Sequence, residues 1–393
     1  MIAVEPIEAW RKIMGRKYIV CPDSYKGSLS AADAARAIRR GILSADPDAV
    51  VIEAPIADGG EGTLDALVRR ENRIACTVIG TNGARVTAEY GDVNGTAVIE
   101  MASAAGLCLV PESERNPERA TTYGVGELIL DALNRGYRSL LLTVGGSGTN
   151  DGGSGMMAAL GAEFYDENGQ KLSVFDENQS GCENFVPKIA KIDLARLDER
   201  LKDTTIVFAC DVKNPMVGAT GATYVYGPQK GADEAMLARL EAGMTRYSAL
   251  LREISGVDIA NYPGCGAGGG LAAPLVALFN AKIVSGIDAV LSSINFDGLM
   301  DGASLVITGE GKIDGQSAYG KAISGVATRA KVKGVPVLAL VGMAGEGAEK
   351  LHPVGVTRIA AMVDIAPSPS YSMTHAEELL AILAEKEVKN IAL

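Results

Sequence analysis

From residue 17 onward, short apolar, β-branched runs alternate with longer stretches whose apolar residues recur every three or four positions. The two periods predict strand and helix in turn, and hence an α/β protein built largely on parallel sheet. Residues 17–21 read as the first strand and 30–41 as the helix after it, with Ser30 as N-cap and Asp33 three residues on. Residues 49–54 form the second strand and 63–70 a short helix. The pattern then changes, because 85–101 alternates apolar and polar positions around the hairpin signal Asn94-Gly95, which predicts antiparallel sheet. Strand and helix units resume with strand 139–144, a helix from Ser154 and strand 204–209. Beyond Gly270 come strand 303–308, helix 319–333, strands 335–341 and 357–362, and a last helix from Thr374. The two ends of the chain share one style and the middle has another. The expected organisation is a parallel-sheet domain from 17–75 and 285–393, an inserted mixed α/β domain over 76–284, and an N-terminal extension over 1–16.

Composition narrows the function. With 393 residues, 47% hydrophobic and 22% charged, the chain is long enough for two domains and apolar enough to bury their cores. A formal net charge of −11 argues against nucleic acid as a partner, which would need an excess of lysine and arginine, so any anionic ligand must be met locally. Six scattered cysteines without a C-x-x-C pair, and only two histidines (His352 and His375), assemble no zinc ligand set by spacing and read as reduced thiols and structural imidazoles. The first residues lack a leader pattern and no apolar run approaches a membrane span, so a soluble, cytoplasmic protein is expected; a homodimer is compatible with the sequence.

Glycine is the outlier, at 47 residues, bunched with acids and hydroxyls at 58–63, 145–153, 264–270 and 308–311. Most of these clusters follow predicted strands, where open α/β sheets place ligands and where glycine lets backbone amides approach phosphate oxygens. The acids among them (Asp58, Glu61, Asp151, Asp211, Glu310 and Asp314) would repel a polyphosphate unless a divalent cation lay between, which makes Mg2+ the implied partner of a nucleotide. Two motifs fall short of their types. Residues 315–322 have P-loop spacing but put Ala322 where a hydroxyl should meet magnesium, leaving only Lys321 as a phosphate contact. Gly264, Gly266 and Gly269 match a dinucleotide fingerprint with Asp288 some twenty residues on, yet 257–263 makes a poor first strand.

The blocks Cys21-Pro22-Asp23-Ser24-Tyr25-Lys26-Gly27-Ser28, Asp58-Gly59-Gly60-Glu61-Gly62-Thr63, Gly145 through Gly153, Cys210-Asp211-Val212 with Asn214-Pro215 and Gly227-Pro228-Gln229-Lys230-Gly231, and Thr308-Gly309-Glu310-Gly311 with Asp314, Gln316, Ser317 and Lys321 follow in order. Together they resemble the type I glycerate kinases. The resemblance spans nearly the whole chain apart from the first sixteen residues and the tail beyond about 365; departures fall at Gly148 and over 216–220. It implies a flavodoxin-like, doubly wound domain made from both chain ends, an inserted α/β domain, an active site in the cleft between them, and transfer of the γ-phosphate of ATP to D-glycerate, with 2-phosphoglycerate as the usual product.

Under that resemblance Lys26, Asp58 and Asp211 are the expected catalytic residues. Ser24, Gly59, Gly60, Glu61, Gly146, Ser147, Asn150, Asp151, Asn214, Gly268, Gly309, Gln316, Ser317 and Lys321 would contact substrate or nucleotide, and Glu310 and Asp314 would hold magnesium, with Asp58 and Asp211 as further candidates. Each has a plainer reading: Ser24, Asn150 and Asp151 as caps of turns or helices, Asp58 as part of an Asp-Gly-Gly turn, Lys26 as a surface lysine. Which aspartate is the base stays open. So do 3-phosphoglycerate as product, a different hydroxy acid as acceptor, an inert acid-binding sensor and an NAD-dependent dehydrogenase; the last lacks its usual imidazole.

Overall fold

The computed structural model describes residues 17–60, 62–175, 181–317 and 321–392. In chain order the strands are β1 (Lys17–Pro22), β2 (Val50–Glu53), β3 (Arg73–Ile79), β4 (Arg85–Val93), β5 (Thr96–Glu100), β6 (Ser139–Thr143), β7 (Glu163–Tyr165), β8 (Lys191–Asp193), β9 (Thr205–Ala209), β10 (Lys282–Val284), β11 (Leu305–Gly309), β12 (Lys312–Ile313), β13 (Val337–Val341), β14 (Met343–Ala344) and β15 (Val356–Ala361). The chain divides into two compact units. The first holds the chain up to Asp58, Asp65–Leu67 and everything from Val290; the second holds Gly59–Leu64 and Val68–Ala289.

The first unit is built on the sheet β2-β1-β11-β13-β15, with every neighbouring pair parallel. Counted within the sheet, that order is 2-1-3-4-5, the doubly wound arrangement of flavodoxin-type folds. β11 and β13 are buried along their whole length, as strands covered on both faces must be, and their sequences are correspondingly near-continuous apolar runs. The helix Ala31–Ala45 starts where Ser30 accepts the Asp33 amide, and its apolar stripe of Ala34, Ala35, Ile38 and Ile42 shares a core with Leu380, Leu383 and Ala384 of the helix Ala376–Ala392. The two helices approach to backbone contact at Gly41, where a Cβ would lie 2.2 Å from the Ala381 carbonyl oxygen.

The second unit carries the sheet β10-β9-β6-β5-β4-β3, parallel from β10 to β5 and antiparallel from β5 to β3. Asn94 and Gly95 both take positive φ, the type of two-residue turn their sequence foretells. β3 pairs with β4 from Arg73 to Ile79, and β10 pairs with β9, so both belong to this sheet. The units therefore change over near residues 58–68 and 289–290 and not at 75–76 and 284–285. The helix expected over 63–70 is only Thr63–Leu67, because Val68 turns extended to pack its side chain against the bare Gly91. The last helix begins at Ala376: Ser368 caps a separate short helix, Pro369–Thr374, that ends at His375. The six cysteines are free thiols. Among the described residues no helix is long and apolar enough to cross a membrane.

Helix propensity alone would make Gly41→Ala stabilising by about 1 kcal/mol. The 2.2 Å approach predicts the opposite sign, a net loss of about 1–3 kcal/mol from overpacking, read as a lowered Tm in thermal denaturation.

Candidate active site

Parallel pairing sets Pro22 of β1 opposite Gly309 of β11, so the chain leaves the sheet at two neighbouring points with an acid at each, Asp23 and Glu310. This is where the strand order reverses, the ligand position of open α/β sheets. The Asp23 amide donates to the Gly309 carbonyl at 2.8 Å, and the Ser24 amide to Asp23 Oδ1 at 2.5 Å. Tyr25 is buried and its hydroxyl donates to the Leu340 carbonyl at 2.6 Å, which fastens the loop after β1 and leaves Lys26 exposed at its tip. Gly309 is bare for the same reason, since a Cβ there would lie 1.8 Å from the Leu340 oxygen and 2.3 Å from Tyr25 Oη. Its role in the structure is close packing beneath the site.

The two acids are held at an electrostatic cost. Burial pushes the Asp23 carboxyl up to about 6, the Asp58 charge adds to it, and the Ser24 amide and Lys26 oppose it. Burial likewise pushes Glu310 up to about 7, the charge of Asp23 adds to that, and the Ser317 hydroxyl, Lys321 and Lys26 oppose it. Glu310 Oε1 is buried with no hydrogen-bond partner. Asp314 is differently employed: its Oδ1 accepts the Gln316 amide at 2.9 Å and its backbone bonds with Ser317, closing a turn that leads toward Lys321, the N-cap of the helix Ala322–Lys333. The carboxylate whose charge Glu310 feels is Asp23.

Among the described residues no group of three potential ligands could enclose a metal ion. Magnesium asks for less, since it commonly takes one or two carboxylates and completes its shell with water and phosphate oxygens. A pair of mutually repelling acids, one with an orphaned buried oxygen, is a donor set that such an ion fits.

In the second unit the glycine loop 145–153 follows β6. Asp151 is buried there and accepts four internal hydrogen bonds, from the Thr122 amide and hydroxyl (2.8 Å each), Gly153 (3.1 Å) and Gly155 (3.3 Å). It thereby locks the starts of the helices Tyr123–Asn134 and Ser154–Ala159, which is the capping alternative. Burial raises its pKa and those bonds oppose the shift. Asn150 Nδ2 donates to Thr223 Oγ1 at 3.1 Å while its Oδ1 is buried without a partner. Gly146 accepts the Leu107 amide at 2.8 Å, and Ser147 bridges to Gly106. Asp211 Oδ1 accepts the Gly286 amide at 2.9 Å at the start of the helix Gly286–Ser293, and Asn214 ties its loop through the Thr220 carbonyl and the Tyr226 hydroxyl.

Gly60 accepts the Thr63 hydroxyl; Glu61 lies outside the described residues. A Cβ on Gly59 would fall 2.3 Å from Gly286 Cα, and one on Gly268 2.8 Å from Met101 Sδ, so both glycines serve close packing. No strand precedes Gly264, and the dinucleotide fingerprint therefore lacks its structural context.

Two residues escape the sequence reading. Asp23 follows a strand end as Asp58 does, and position alone marks it. Lys230 is 1% exposed, with Nζ donating to the Thr149 carbonyl at 2.6 Å; burial lowers its pKa to about 7 against the pull of Asp151. Its signal is a lysine between Gly227 and Gly231 in one of the ordered blocks.

Acids and lysines gathered at a strand-order reversal suit the handling of a metal-bound phosphate, and the comparisons place the chain among enzymes that transfer one. Residues 18–392 match the Glycerate kinase family. The chain is 41% identical to a glycerate kinase of Halalkalibacterium halodurans over 379 residues, covering 95% of this chain and 97% of the relative. It is 42% identical to the glycerate 2-kinase of Escherichia coli over 348 residues, covering 87% and 89%. A crystal structure of a protein assigned as glycerate kinase 2 from Salmonella typhimurium superposes with a TM-score of 0.82 at 36% identity, covering 96% of this chain and 98% of that one. The protein is a kinase. It belongs to the glycerate kinase family.

A carboxyl whose pKa is higher in the folded protein than in the unfolded chain destabilises the fold once ionised: the penalty is absent below the ordinary value of 4.5 and grows as pH rises toward about 7. Glu310→Gln removes it. Without divalent cations the variant should melt a few degrees above wild type at pH 8, and the gap should close by pH 4, in parallel thermal scans with chelator.

Proposed function

We propose that the protein transfers the γ-phosphate of ATP to the C2 hydroxyl of D-glycerate, giving 2-phosphoglycerate and ADP. The observation that carries the reading is the half-buried pair Asp23 and Glu310, with its orphaned oxygen and raised pKa values, set among Lys26, Lys321 and Asp58. The acceptor comes from the names of the relatives, a glycerate kinase in one organism and a glycerate 2-kinase in another. Asp23 and Glu310 would hold Mg2+, which when bound neutralises phosphate charge.

The chain's own residues do the rest. Lys26 and Lys321 offset negative charge on the transferring group, and the amides at the start of the helix Ala322–Lys333 face the same way electrostatically. Ser24, Gln316 and Ser317 supply hydrogen bonds at the two loops. Asp58 accepts the proton of the attacking hydroxyl as the new O–P bond forms and the bond to the ADP oxygen breaks. Positioning and charge compensation supply most of the acceleration in such transfers. The Asp211 carboxylate, engaged at the Gly286 amide, serves as a positioning group in the second unit. The enzyme would work in the cytoplasm.

The test is ADP release coupled to absorbance, with Mg-ATP and D-glycerate, and 2- and 3-phosphoglycerate resolved in the product. Asp58→Asn should lower kcat by about 10²–10⁴-fold, and Lys26→Ala and Glu310→Gln should each lower kcat/KM by at least about tenfold, roughly 1.4 kcal/mol. A folded wild type that releases no ADP in response to glycerate would overturn the assignment; 3-phosphoglycerate as sole product would move the attack to C3.

A further inference from the structure

We propose that Ser317 is the positioning residue for Glu310: its buried hydroxyl holds the carboxylate so that Oε1 is left to the divalent cation. The inference rests on the reading of Asp23 and Glu310 as cation ligands and deepens it. Ser317 and Glu310 belong to the same compact unit, and the chain between them is pinned along its length.

The pinning is done by backbone. The Glu310 carbonyl accepts the Gly342 amide at 3.1 Å and the Gly311 carbonyl accepts the Met343 amide at 3.0 Å. β12 then pairs with β14, Lys312 beside Met343 and Ile313 beside Ala344. The Gly345 amide donates to the Ile313 carbonyl at 2.8 Å and the Gly315 amide to the Glu346 carbonyl at 3.0 Å. This ladder along the segment after β13 fixes where the turn Asp314 to Ser317 stands relative to Glu310. The turn closes on itself, with the Ser317 amide on the Asp314 carbonyl at 3.0 Å and the Gln316 amide on Asp314 Oδ1 at 2.9 Å.

The proton count then assigns the hydroxyl. A serine hydroxyl has one proton and two lone pairs. The Asp314 amide, which can only donate, takes one lone pair at 3.2 Å. The single proton is free for the Glu310 carboxylate, to which Ser317 is hydrogen-bonded. Ser317 is 1% exposed, so solvent does not compete for that proton. Glu310 Oε1, in contrast, is buried with no partner. Asp151 shows what a buried carboxylate looks like when its task is structural: it accepts four hydrogen bonds from its own unit. Glu310 receives one hydroxyl and keeps an oxygen unsatisfied, at a cost that a ligand arriving from outside would remove. Groups that hold a metal-binding side chain from behind commonly govern affinity for the metal.

The test is a titration of the full-length protein with Mn2+ alone, free ion being read from its electron paramagnetic resonance signal; Mn2+ shares the oxygen ligands of Mg2+. Ser317→Ala should weaken Mn2+ binding about tenfold, and Glu310→Ala should weaken it at least as much. Adding Ser317→Ala to Glu310→Ala should change the affinity less than about twofold, because a residue that acts through Glu310 has nothing left to act on. Thermal scans in chelator report that each variant is folded. Should Ser317→Ala fail to fold, Ser317→Cys, which keeps the volume and weakens the donor, carries the same test. Unchanged Mn2+ affinity in the single Ser317 variant, losses that multiply in the double variant, or no Mn2+ binding by the wild type each overturn the proposal. The titration uses neither nucleotide nor acceptor, so it decides the inference whether or not glycerate proves to be phosphorylated.

Discussion

The structure turns on one pairing register. Because Pro22 stands opposite Gly309, the residues that follow, Asp23 and Glu310, emerge side by side at the point where the strand order reverses. Burial raises the pKa of both carboxyls, with Asp58 adding to Asp23 and Asp23 adding to Glu310, and the protein keeps them there by packing that has nothing to do with charge: Tyr25 reaching across to Leu340 over a residue that must be glycine. A slip of one residue in either strand would send the acids to opposite faces and take the lysines on their loops with them. The fold spends stability here, and under the proposed function a divalent cation would offset it.

What the sequence revealed was what is local. The capped first helix, the Asn94-Gly95 hairpin and the parallel strands follow from patterns a few residues long, and they lie where the periods put them. The unit boundaries were less legible, because β3 and β10 carry no mark of which sheet they join; partners far along the chain decide it. Asp23 was available to the same argument that selects Asp58 and was overshadowed by Lys26 three residues on. Lys230 was not available, since its burial is produced by Thr149, the glycine loop and the segment around Arg115, all distant in sequence.

The glycine clusters show how one composition signal serves two purposes. Glycine at a strand end is what a phosphate loop needs, yet Gly266, Gly269 and Gly59 lie where a Cβ would come within 2.0–2.3 Å of backbone atoms of Pro215, Thr149 and Gly286. There the backbone makes room for other backbone. Asp151 follows the same logic: a carboxylate in a glycine loop looks like a ligand contact, and its four internal bonds instead hold two helix starts in place, so that its neighbours on the loop can be presented rigidly.

The carboxylates of the two units serve different ends. In the first, carboxylates dominate the strand ends, so a polyphosphate is tolerable only with a divalent cation between, which is the condition of phosphoryl transfer in any case. In the second, Asp151 is engaged by four internal hydrogen bonds, Glu118 by Arg239 and Asp211 by the Gly286 amide, so these carboxylates hold loops and helix starts in place.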